Sequence, residues 1–73
     1  MYTERNFKTK RALKEAVARN EMISIYQPGG MFVPQEALPD YTGPAFVEGP
    51  HYPQAHTWYA KVHLVNGLVV KVQ

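Results

Sequence analysis

The sequence predicts one small α+β domain, in which an N-terminal helix packs on an antiparallel sheet of about four strands. Three observations support this fold class: a helix-forming run near the N-terminus, a short β run that stops at a Pro-Gly turn, and two alternating apolar segments around Asn66-Gly67. The chain has 73 residues, 45% of them apolar. It is therefore expected to form a single domain, residues 1–73, with one hydrophobic core.

Residues 7–20 are predicted to form the helix, because most of them are good helix formers. Asn6 or Thr9 can cap its first turn, and Asn20 stands where a left-handed residue commonly ends a helix. The stripe that faces the sheet is narrow and rich in alanine, which suits a helix laid on a sheet with one face only. This stripe is supplied by Leu13, Ala16 and Val17.

The middle of the chain is dominated by turns. A short β run at residues 22–26 stops at Gln27-Pro28-Gly29-Gly30, which is a strong turn signal. The Pro/Gly-rich segment that follows, residues 27–56, contains all six prolines and four of the five glycines. Residues 45–48 have a Gly-Pro pair on each side and are predicted to form one strand within that segment.

Residues 57–73 are predicted to form a C-terminal hairpin around Asn66-Gly67. A two-residue turn would place Val62 opposite Lys71 and so mix the core face with the solvent face. A three-residue turn places Val62 opposite Val70, with the glycine at the left-handed position of a G1 bulge. Because register follows the buried face, the three-residue turn is predicted. The expected core consists of Leu13, Val17, Ile23, Ile25, Val47, Trp58, Val62, Leu64 and Val70.

Composition excludes several classes of protein. There is no cysteine, so the chain can form neither a disulfide nor a thiolate zinc site. No apolar run approaches the roughly 20 residues of a membrane span, and the first residues are too polar for a secretory signal. We therefore expect a cytoplasmic protein without a membrane partner. Basic residues 1–20 and acidic residues 21–60 form blocks that can neutralise each other within the fold.

Residues 49–59 concentrate two histidines and three aromatic residues on a backbone that two prolines restrict. Four interpretations are open: the side chains serve the fold alone; they bind a metal together with His63; the two histidines act as acid and base beside Lys61, as in a small phosphodiesterase or ribonuclease; or the segment is a recognition surface. Three histidines lack a recognised zinc spacing, and nothing fixes a catalytic geometry. We therefore expect no catalytic residue, no metal ligand and no cofactor.

The function expected from these features is that of a small non-enzymatic binding module, an accessory or inhibitor-type protein that contacts a protein partner or a second copy of itself. The alternative is a nucleic-acid-binding protein that uses the basic helix or the Lys61/Lys71 face of the sheet. In the predicted register these two lysines lie opposite each other. The residues expected to bind are His51, Tyr52, His56, Tyr59, Lys61 and Lys71.

Four features occur together along most of the chain: the Ala-Leu-Lys-Glu-Ala helix of residues 12–16, the Pro28-Gly29 turn, the segment of residues 49–60 and the closing Asn-Gly hairpin. The third contains Gly-Pro-His-Tyr-Pro, His56 and Trp-Tyr-Ala. In this combination the chain resembles short uncharacterised proteins of bacteria and of their phages and mobile elements. The resemblance implies a small accessory protein, with phage-encoded inhibitors of host or defence machinery as one such kind. It attaches no activity and transfers no functional residue.

Overall fold

A computed structural model describes residues 1–27, 34–51 and 54–73. The described residues form one α-helix, five strands and a short 3-10 turn, and this confirms the predicted α+β class. The strands are divided between two antiparallel sheets, where a single sheet of about four strands was predicted. In chain order the elements are β1 (Tyr2–Thr3), α1 (Lys10–Ala18), β2 (Ile25–Tyr26), the 3-10 turn (Gln35–Ala37), β3 (Gly43–Gly49), β4 (Trp58–Val65) and β5 (Leu68–Val72).

The two sheets surround one core. The larger sheet has the order β3-β4-β5, and the smaller one pairs β1 with β2. Backbone hydrogen bonds connect both edge strands of the larger sheet to residues beside the smaller one: the N–H of Glu48 in β3 donates to the carbonyl of Met1 at 3.0 Å, and the N–H of Val69 in β5 donates to the carbonyl of Ile23 at 2.8 Å. The residues that flank β1 and β2 therefore satisfy one edge N–H on each side of the larger sheet.

The core lies between the helix and the inner faces of both sheets. Most of the residues predicted to be buried are buried, but Val17 is only partly buried and Val70 is exposed. Phe7, which had no predicted role, also enters the core, and its carbonyl accepts a hydrogen bond from Trp58 Nε1 at 3.0 Å. The confirmed members are Leu13, Ile23, Ile25, Val47, Trp58, Val62 and Leu64.

Helix α1 is shorter at both ends than the predicted range of 7–20. Thr9 is the N-cap, and its hydroxyl accepts a hydrogen bond from the Ala12 N–H at 3.1 Å. Residues 7–9 stay outside the helix, which lets the Phe7 ring reach the core. The Asn20 backbone is left-handed as predicted, with φ 60°. Within the described residues, no helix is long and apolar enough to cross a membrane.

The predicted three-residue turn of the C-terminal hairpin is wrong. Strands β4 and β5 are joined by a two-residue turn, with Val65 opposite Leu68. Asn66 and Gly67 both have positive φ, 50° and 79°, as a type I′ turn requires. A type I′ turn has the same twist as the strands that it joins, and this favours the two-residue loop. The loop alone would pair core-facing residues of β4 with solvent-facing residues of β5, so β5 must correct the mismatch further along.

A β-bulge in β5 resolves that conflict. Val69 lies opposite Leu64, whereas Lys71 lies opposite His63, so Val70 is the extra residue between the two pairs. Val70 is 52% exposed and Val69 is buried in its place. The predicted pairing of Lys61 with Lys71 is therefore also wrong.

The Asn-Gly turn leads to a prediction for Gly67→Ala. A Cβ atom at this position would overlap the Pro39 carbonyl, and alanine is disfavoured at φ 79°. We expect the free energy of unfolding in urea to fall by about 2 kcal/mol or more, the sum of the positive-φ cost and the overlap. Asn66→Gly is the matched control, because glycine tolerates the same conformation. A loss below about 0.5 kcal/mol for Gly67→Ala would contradict the described turn.

Candidate binding surface

The described residues gather polar and aromatic side chains in two places. The first, here called the histidine cluster, lies where the chain leaves β3 and contacts the N-terminal strand. It consists of Tyr2, Tyr26, His51 and His56. The second, here called the outer face, is the side of the larger sheet that is turned away from the core. It consists of Pro44, Phe46, Glu48, Tyr59, Lys61, His63 and Lys71.

Tyr2 is the centre of the histidine cluster. Its ring is buried and stacks on the His51 ring, with 4.7 Å between the centroids and 16° between the planes. Its hydroxyl is hydrogen-bonded to His56 Nε2 at 2.7 Å, and the His56 ring meets the tyrosine ring edge-on. Both predicted histidines therefore contact the same buried tyrosine. Tyr52, the third residue predicted in this segment, lies outside the described residues.

His51 makes three hydrogen-bond contacts, two of them to the N-terminal segment and one to β2. Its Nε2 lies 2.8 Å from the Thr3 carbonyl, which can only accept, so Nε2 carries a proton and donates it. In the neutral ring Nδ1 is then the acceptor, and it faces the Tyr26 hydroxyl at 3.5 Å. The His51 backbone N–H donates to Asn6 Oδ1 at 2.9 Å. These contacts fasten the segment after β3 onto β1, which is a structural use of the histidine.

The positions of the described residues bear on two interpretations of the histidines, acid–base catalysis and metal binding. Lys61, the cation considered for an acid–base mechanism, belongs to the outer face of β4 and not to the histidine cluster. Within residues 1–27, 34–51 and 54–73, no three His, Asp or Glu side chains come together closely enough to hold a metal ion. The cluster thus offers hydrogen bonds and ring contacts to the fold.

The outer face presents two large aromatic rings on neighbouring strands. Phe46 of β3 is 68% exposed, and Tyr59 of β4 is 65% exposed. Phe46 lies opposite Lys61 and Glu48 lies opposite Tyr59, so the two rings are diagonal neighbours with the lysine beside both. Exposed aromatic rings that lie close together can mark an interaction site.

The basic part of the outer face lies towards β5. His63 is flanked by Pro44 on one side and by Lys71 on the other. These residues line, with Lys61 and Gln73, a shallow depression of about 330 Å³. Glu48 is the acidic residue on this face within the described strands, and it pairs with the N-terminal amino group at 3.5 Å. The outer face therefore carries net positive charge.

The sequence predicted only part of the outer face. Tyr59, Lys61 and Lys71 were predicted as binding residues, and all three are exposed there. Phe46 was placed in a predicted strand without a role. The signal was present, because Phe46 precedes the predicted core residue Val47 in a strand and must therefore point to the opposite side.

A third exposed surface is apolar. It arises because the β5 bulge turns Val70 outwards, close to Met22, which is 76% exposed. A depression of about 180 Å³ lies between the end of α1 and β5. The described residues that line it are mostly apolar and none is aromatic: Val17, Asn20, Glu21, Met22, Leu68, Val69 and Val70.

Comparison with family models, with curated proteins and with solved structures finds no significant match to this chain. The resemblance to short bacterial and phage proteins stays a prediction.

Glu21 is held by two arginines at the end of the helix. Arg5 and Arg19 both donate to its carboxylate, Arg19 Nε at 2.7 Å. Two hydrogen bonds lower the pKa of Glu21 below its ordinary value of 4.5: the one from Arg5 has the larger effect and the one from Arg19 the smaller. These pairs fasten the loop before α1 to the loop after it.

This arrangement predicts a pH-dependent contribution to stability. A carboxylate with a lowered pKa stabilises the fold fully above its ordinary pKa, and this contribution disappears as the pH falls through the lowered value. We expect the difference in free energy of unfolding between the wild type and Glu21→Gln to be constant near neutrality and to shrink below pH 4.5. Glu36→Gln, in the 3-10 turn, is the control. A difference that stays the same across the acid range would show that the Glu21 charge contributes nothing.

Proposed function

We propose that the protein is a non-enzymatic nucleic-acid-binding module and that the outer face is its binding surface. The observation that carries the proposal is the exposure of Phe46 and Tyr59 beside Lys61 on one regular sheet face. Aromatic rings offer stacking surfaces to bases, and lysines neutralise phosphates. Both kinds of group stand on paired strands, so little backbone entropy is lost on binding.

A protein partner, the first expectation from the sequence, fits this surface less well. The centres of protein–protein interfaces are rich in aromatic residues but depleted in lysine. Here Lys61 is adjacent to both exposed rings, and Lys71 and His63 extend the basic character across the sheet. A nucleic acid supplies flat rings and negative charge together, and so it matches both features of the surface.

The second basic surface is the exposed side of α1, which the sequence also suggested for nucleic acid. The helix packs with Leu13 and Ala16 on the inner side of the sheet, so its exposed lysines are turned away from the outer face. Lys14 lies on α1 and Lys8 lies just before it, and residues 10–18 of the helix include no aromatic ring. The helix therefore offers charge without a stacking surface.

A salt titration tests the proposal. Binding of a fluorescein-labelled oligonucleotide is measured by anisotropy at several salt concentrations, because each phosphate contact adds to the slope of log affinity against log salt. We expect Lys61→Gln and Lys71→Gln each to reduce that slope by about 1. The matched controls on the helix side of the molecule are Lys8→Gln, just before α1, and Lys14→Gln, within α1. They make the same change of charge and should leave the slope unchanged.

Two results would overturn the proposal. If no oligonucleotide binds even at low salt, nucleic acid is not the partner, and the protein partner becomes the better account. If the helix variants reduce the slope and the sheet variants do not, nucleic acid binds to α1 and the outer face is not the site.

A further inference from the structure

We infer that the ligand of the outer face is a single-stranded nucleic acid, with one base stacked on Phe46 and another on Tyr59, and with phosphates held by Lys61 and Lys71. This inference rests on the proposed function and specifies which nucleic acid is bound and how. It uses positions that the strand register fixes.

The spacing of the two rings favours an unpaired strand. Diagonal neighbours on adjacent strands are separated by about 7–8 Å. This is about twice the 3.4 Å between stacked bases along one strand of a double helix. Two bases can each cover one of these rings only if they separate from each other. A single strand allows that, because its backbone is flexible and its bases have no partners.

A regular duplex uses this surface less fully than a single strand. Every internal base pair is covered on both faces by its neighbours, so no base face is free for an aromatic ring unless the duplex is deformed. The minor groove is only about 6 Å wide, which is too narrow for a face of three paired strands in an undeformed duplex. An undeformed duplex therefore leaves the two exposed rings without a base to stack on.

The charges indicate how the strand lies across the sheet. Phe46 and Tyr59 stand on β3 and β4, whereas Lys61 and Lys71 stand on β4 and β5. Strand β3 carries Pro44 and Glu48 on the outer face and no cation. The bases therefore lie over β3 and β4, and the phosphates lie along β4 and β5.

The test compares three labelled ligands of one sequence, about 12 nucleotides long, within the range of known single-strand sites. They are single-stranded DNA, single-stranded RNA and duplex DNA, and binding is followed by anisotropy at low salt. The variants Phe46→Leu and Tyr59→Leu remove one ring each but keep an apolar side chain. Tyr59→Phe keeps the ring and removes only the hydroxyl. Met22→Leu is the control on the separate apolar surface.

We expect the wild type to bind a single strand more tightly than the duplex. Each leucine variant should weaken single-strand binding by roughly 5- to 150-fold, the range that the loss of one base–aromatic stack produces. Tyr59→Phe and Met22→Leu should bind as the wild type does. Melting temperatures should fall by no more than a few degrees, since both rings are largely exposed and contribute only through cross-strand pairs. The two single-stranded arms show whether DNA or RNA binds more tightly, and either order supports the inference.

Failure of the inference can be told apart from failure of the proposed function. One outcome is that duplex and single strand bind equally, that the leucine variants bind as the wild type does, and that the lysine variants still reduce the salt slope. In that case the protein contacts only the phosphates. That result overturns the stacking model and leaves the proposed function in place. If none of the three ligands binds, both are overturned.

Discussion

The alternation of side chains along β4 is the constraint on which the rest of the structure depends. This strand lies in the middle of the larger sheet, so its inward residues, among them Trp58 and Leu64, must meet the helix and both neighbouring strands. Its outward residues, Tyr59 and Lys61, are exposed as a direct consequence. The bulge at Val70 preserves this division, because it returns β5 to the correct face after the short turn. The same alternation along β4 thus supplies residues both to the core and to the proposed binding surface.

The aromatic residues have two different tasks. Those near the N-terminus hold distant segments together: Tyr2 packs between the two histidines, and the Trp58 indole donates to the Phe7 carbonyl. These contacts allow a two-residue strand at the start of the chain to be part of the core. Burial and hydrogen bonding account for their positions. Phe46 and Tyr59 are largely exposed instead, and the proposed function assigns them to ligand binding.

Local patterns predicted the parts of the structure that depend on local physics. The left-handed Asn20 and the inward residues of β4 follow from residue type and periodicity. The helix cap is Thr9, one of the two residues, Asn6 and Thr9, that the sequence offered. Strand β1 could not be predicted, because two residues show no period and their pairing is tertiary. The predicted turn of the hairpin was wrong because core residues of β4 and β5 can be brought opposite each other in two ways, by a longer turn or by a bulge. The alternation of apolar and polar residues is compatible with both.

The candidate binding residues were also predicted only in part, because some positions follow from local alternation and others depend on tertiary contacts. Alternation identified the exposure of Tyr59, whereas the position of His56 depends on a hydroxyl 54 residues away in the chain.

The most direct test of the central claim is an amide chemical-shift map recorded during titration with a single-stranded oligonucleotide. The account predicts shifts at the amides of Phe46, Tyr59 and Lys61, with α1 unaffected. Shifts confined to α1 or to the residues around His51 would contradict it.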